Sequence, residues 1–199
     1  NVMKVLGDIE CYPSFFMLGV KDFLTKELKY FEISEHRDDS ADLFNYLNTF
    51  KGYFISFNGL HYDKPVLSFF YKTYAEKGYV STQDIKMFSD LVINAESSYS
   101  DELKPYMYVL PKTMVQIDLF CYWSLGIRQS KKISLKSLGV ALGHEEIQEL
   151  PYHHTKWLTK EEIEEVRHYN LYNDLGILNK LCIAKEKEIE LRRDIRVKM

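Results

Sequence analysis

The chain lacks closely spaced cysteines, long apolar runs and an excess of either charge. Its three cysteines, Cys11, Cys121 and Cys182, are odd in number and widely separated, with no CxxC pair. That argues against a disulfide framework and for a reducing compartment, the cytoplasm, or the host cytoplasm if the protein is viral. No apolar run approaches the roughly 18 residues needed to span a bilayer, and the residues given do not read as a signal peptide, so no membrane partner is expected. A net charge of −3 over 199 residues leaves no global basic footprint. This counts against strong non-specific DNA binding, but not against an enzyme that touches a few phosphates. Internal repeats, low-complexity tracts and linkers are absent too. A single domain is therefore expected over 1–199. The chain opens on Asn1 and closes in KEKEIELRRDIRVKM, amid a helix-like charge pattern. An excised domain or a small subunit is expected.

What is present is enough apolar and aromatic material for a sizeable core. Val2–Ile9 reads as a buried strand in which Gly7 permits close backbone approach. Phe15–Val20 and Leu28–Ile33 are further strands, joined by a polar turn into an antiparallel meander. Asp39 and Ser40 offer caps for a helix over Ala41–Phe50. Tyr53–Phe57 is a short apolar strand ending in the turn signal Asn58–Gly59. Lys64–Lys77 and Thr82–Ala95 have helical patterns, and Ser97–Pro111 reads as a loop. Thr113–Ile117 is a fifth strand, followed by a short helix. Ser134 caps another helix, and Thr159 with Glu162 forms a capping box that opens a long final one. A three-strand meander followed by helix–strand–helix–strand–helices predicts an α/β fold with a mixed sheet and helices on its faces.

Four carboxylates carry the chemistry. Asp8 and Glu10 lie two apart on a strand, so they share a face. Carboxylates on one face of an interior strand are costly unless they bind something, although a D-x-E triplet can also be a plain strand end. Asp63 follows a strand, where ligands of such sheets gather, and it can equally cap the next helix. Asp174 lies on the inward stripe Ile163, Val166, Asn170, Ile177 and Leu181 of the last helix, where a carboxylate needs a partner. Oxygen-rich acidic clusters suit Mg2+ or Mn2+. Asp118 is read as a helix cap. His144, His153 and His154 lack the spacing of a zinc site.

In this order the motifs Asp8–Ile9–Glu10, Asn58 through Asp63, and Tyr169 to Asp174 resemble those of the DEDD exonuclease superfamily, which includes the proofreading domains of DNA polymerases, RNase D and oligoribonuclease. The resemblance runs from Asp8 to Asp174. It implies an RNase-H-like sheet, three strands antiparallel and then two parallel, and two-metal hydrolysis from a 3′ end. Asp8 would bridge two ions, Glu10 and Asp174 would complete one site, and Asp63 would help hold the second. Tyr169 lies five residues before Asp174, whereas the tyrosine subfamily uses four. On an ideal α-helix five residues place side chains about 140° apart, so Tyr169 can reach the metals only where the backbone is irregular. His168 is a second candidate for orienting the water.

Substrate grip should come from bases stacking on exposed side chains and from cations on phosphates. Tyr12 and Leu60 are the candidates for base contacts. Lys131 and Lys132, in a basic loop with Arg128 and Lys136, are the candidates for phosphate, and a plain solvated loop is an equal reading. Asn58 either joins this group or shapes its own turn. The resulting expectation is a metal-dependent 3′–5′ exonuclease acting on single-stranded DNA ends, similar to phage proofreading domains and partnered with a DNA polymerase domain or subunit. An RNA 3′ exonuclease and a non-catalytic nucleic-acid-binding module are the alternatives.

Overall fold

The computed structural model describes residues 2–95, 100–124, 134–145 and 147–197. Strands β1 (Met3–Tyr12), β2 (Phe15–Asp22) and β3 (Leu28–Ser34) form the expected antiparallel meander. Helix α1 (Ser40–Thr49) leads to β4 (Gly52–Ser56), which pairs parallel with β1. Helices α2 (Asp63–Lys77) and α3 (Thr82–Asn94) follow, and then β5 (Met114–Asp118) lies parallel to β4. The sheet order is β3-β2-β1-β4-β5, an RNase-H-like arrangement of the kind expected. Three short or medium helices complete the described chain before the last one: α4 (Phe120–Ser124), α5 (Leu135–Ala141) and α6 (Lys160–His168). The last, α7, spans Leu175–Val197. No helix among the described residues is long and apolar enough to cross a membrane.

Strand alternation builds two cores. Val5, Ile9 and Cys11 of β1 point to one face, under α1, α2 and α3. Leu6 and Tyr12 point to the other, under α6 and α7. Asp8 and Glu10 share the parity of Leu6 and Tyr12, so period-2 geometry aims both at the C-terminal helices. Gly7 lets Phe54 of β4 lie against the strand; a Cβ there would stand 2.0 Å from the ring.

The structure amends several expectations. The first strand runs beyond Ile9 to Tyr12, because it continues as a tight hairpin in which Tyr12 pairs with Phe15. Asp39 precedes α1 without capping it through its side chain. It accepts instead from the Glu32 amide at 2.9 Å and from Arg37. The expected loop after α3 contains a 3-10 turn at Lys104–Tyr106. The long final helix is not continuous: between α6 and α7 the chain winds as a π-helical turn, Tyr169–Asp174.

Candidate metal centre

Asp8 and Glu10 project from the second half of β1, beyond the last β1–β4 pair, Leu6 with Ile55. Asp174 closes the π turn that packs over the same face. One oxygen each of Asp8, Glu10 and Asp174 lies within 4.8 Å of the others, and the three can hold a metal ion. Asp8 and Asp174 are half-buried, and Glu10 is the most enclosed of the three.

Asp63 starts α2 and is buried, with 3% exposure. Its N-cap neighbour is Tyr62, so Asp63 is the first helical residue and not the cap. Its Oδ1 accepts the amide of Ile9 at 3.2 Å. Asp63 lies outside the tight three-oxygen group, yet close enough for its charge to act on Asp8 and Glu10.

The electrostatics follow from this crowding. Burial pushes the Asp8 carboxyl well up, and Asp174, Asp63 and Glu10 push it further. Burial and then Asp174 raise Glu10, against the hydrogen bond from Asn170. Asp63 is pushed up to about 7, chiefly by burial, although two backbone amides oppose the shift. Asp174 is pushed up to about 6 by burial, restrained by contacts from Asn173 and Tyr169 and by the charge of Lys136. Lys136, which bonds to Glu149, reaches Asp174 through its charge. Carboxylates crowded this closely fit a hard divalent cation, which takes oxygen ligands.

The π turn resolves the spacing of Tyr169. The Leu175 amide bonds to the carbonyl of Asn170, five residues back. In that winding, residues five apart come to one side, and the Tyr169 phenol stands near enough to the Asp174 carboxylate for each to shift the other's pKa. Burial and the nearby Asp174 and Glu10 charges raise the phenol's pKa, so at neutral pH it stays an O–H donor. His168 is exposed and its ring packs at a tilt against that of Tyr172, with centroids 4.5 Å apart.

Other expected residues fall differently. Tyr12 is not a surface platform for a base. It is 1% exposed, and its hydroxyl donates to the Tyr152 carbonyl at 3.0 Å; the lengthened β1 carries it under the C-terminal helices. Leu60 is 38% exposed and lines a cavity of about 50 Å³ with Lys64, Tyr106 and Met107. Asn58 is exposed and has a left-handed backbone, φ 58°. Lys131, Lys132 and Arg128 lie outside the described residues. Lys136 of α5 bonds to Glu149.

Two contributors were not foreseen in these roles. Asp118, at the end of β5, does bond the Phe120 amide at the start of α4, at 2.9 Å. It also accepts the amides of Asn58 at 2.7 Å and Leu60 at 3.2 Å, and so shapes the turn before Asp63. Asn170 sits on the inward stripe, and its amide donates to both Asp8 and Glu10. A polar side chain on an apolar stripe was the available signal. Comparison with protein-family models, curated proteins and solved structures gives no match, so any functional reading rests on these residues themselves.

Proposed function

We propose that the chain is a divalent-cation-dependent nuclease that hydrolyses phosphodiester bonds at the 3′ ends of single-stranded DNA. The observation that carries the reading is the meeting of Asp8, Glu10 and Asp174 within 4.8 Å, with Asp63 bonded to the backbone between the first two. Asp8, Glu10 and Asp174 would hold Mg2+ or Mn2+, with Asp63 available to a second ion. When bound, the cations supply Lewis acidity to the phosphate and lower the pKa of water.

The chain's own groups supply the rest. The Tyr169 phenol, whose pKa burial and the nearby Asp174 charge raise, keeps its proton and offers its oxygen to an incoming water, which orients the attack. Leu60 presents an apolar surface beside Asp63 on which a terminal base can stack. Asp118 holds the turn that carries Leu60. Hydrolysis consumes one water and leaves a free nucleotide and a strand shorter by one residue. On this reading the protein serves a DNA polymerase domain or subunit in a reducing cytoplasm.

The test is a time course on 5′-labelled single-stranded DNA and RNA with Mg2+, Mn2+ or EDTA, run beside Asp8→Ala. A metal-dependent ladder shrinking from the 3′ end, absent in the variant, is expected on DNA. Faster degradation of RNA would transfer the reading to that polymer. No cleavage of either with either metal would overturn it.

A further inference from the structure

Asn170 is fully buried, 0% exposed, and its side chain reaches two of the carboxylates at once. Nδ2 donates to Asp8 Oδ2 at 2.8 Å and to Glu10 Oε1 at 3.3 Å. An amide nitrogen carries two hydrogens, so both bonds form together. Oδ1 has no hydrogen-bond partner and lies over Gly19 of β2. A Cβ at position 19 would stand 2.0 Å from it. Gly19 is the cross-strand partner of Asp8. The glycine therefore leaves the space above the sheet, beside Asp8, that the Asn170 side chain fills.

The geometry points to Asn170 as a positioning residue that holds the Asp8–Glu10 pair in ligand register for a divalent cation, with Gly19 as the space that admits it. This rests on the metal-dependent reading above. The amide is neutral. It draws two like charges together without neutralising them, as a lysine would, and without competing with a cation for the site. It uses one oxygen of each carboxylate and leaves the other oxygens to coordinate. Groups that orient metal ligands in this way typically contribute about 10–100-fold to metal affinity. The π turn is what makes this possible, since it turns both Tyr169 and Asn170 inward, one to Asp174 and the other to Asp8 and Glu10.

The test is Mn2+ binding, followed by the loss of the free-ion electron paramagnetic resonance signal, in the wild type, Asn170→Ala, Gly19→Ala and the double variant. Gly19→Ala changes no ligand and no titratable group, yet it displaces the amide. The double variant puts a methyl group into the space vacated by Asn170, and thermal melts in EDTA report whether each protein folds. The expected result is a Kd weakened at least about 10-fold in both single variants. The double variant should be no weaker than Asn170→Ala alone, because both changes remove one interaction. It should also regain part of the lost thermal stability without regaining affinity. Wild-type affinity, within twofold, in a folded Asn170→Ala or double variant overturns the positioning role and leaves the metal centre standing. Absence of Mn2+ binding in the wild type overturns both.

Discussion

The backbone amide of Ile9, the residue between Asp8 and Glu10, donates to the side chain of Asp63 at 3.2 Å. β4 ends opposite this part of β1, since their last paired residues are Leu6 and Ile55. Asp63 thus takes the place of the missing strand partner. One carboxylate both closes the ladder and stands beside the other three.

The two duties of Asp63 separate by substitution. Asp63→Asn keeps an acceptor for Ile9 and removes the charge, so the metal-free protein should melt at or above the wild-type temperature at pH 8. Asp63→Ala strands a buried amide and should cost about 1–3 kcal/mol. Both variants should cleave DNA at least about 10-fold more slowly. Thermal melts with a cleavage assay check this, and equal melting of the two variants would remove the structural role.

Stability of the metal-free protein should fall as pH rises. Asp63 at about 7 and Asp174 at about 6 titrate above the ordinary range near 4. From about pH 4 to 7, then, the folded chain binds more protons than the unfolded one, and stability declines with pH. The slope is at most about 1.4 kcal/mol per pH unit for each group. Melting in EDTA should be higher at pH 5 than at pH 8. A saturating divalent cation should restore stability at pH 8, by about 2.7 kcal/mol at a hundredfold excess over Kd, and do little at pH 5. A flat profile in EDTA would contradict the placement of these carboxyls.

Tyr169→Phe keeps the packing and removes the hydroxyl. Cleavage should fall about 100-fold, with Mn2+ affinity changed only a few-fold. The hydroxyl lowers the Asp174 pKa, so its loss should move the acid limb of the pH–rate profile upward. A pH series at saturating metal measures both effects, and an unchanged rate would dismiss the tyrosine from the reaction.

At position 58 the left-handed backbone separates turn geometry from side-chain contact. Asn58→Gly should fold as well as wild type, whereas Asn58→Val should lose about 1–2 kcal/mol. Asp118→Ala should cost more than either, because the amides of Asn58, Leu60 and Phe120 lose their common acceptor. Denaturant melts rank the three. If Asn58→Gly also cleaves normally, the Asn58 side chain makes no essential substrate contact.

The alternation of apolar residues in the first three strands, and the short apolar segments of β4 and β5, made the mixed sheet legible. Period 2 alone put Asp8 and Glu10 on one face. The burial of Tyr12 was not legible, because it depends on how far β1 runs before the hairpin turns. The link between Asp118 and the Asn58 turn joins residues sixty positions apart, and no local pattern records it. The π turn was legible only as a need: Tyr169 five residues before Asp174 required an irregular backbone.

The sequence by itself determined which carboxylates are available to a metal ion and which strand face presents two of them, because residue type and strand period are local properties. Only the tertiary structure decided which oxygens meet, that Asp63 bonds to the β1 backbone outside the tight group, and that Asn170 and Gly19 occupy one space beside Asp8. The reason is physical. A carboxylate's surroundings, and hence its charge and its partners, are set by elements that come together only when the two cores close over the sheet.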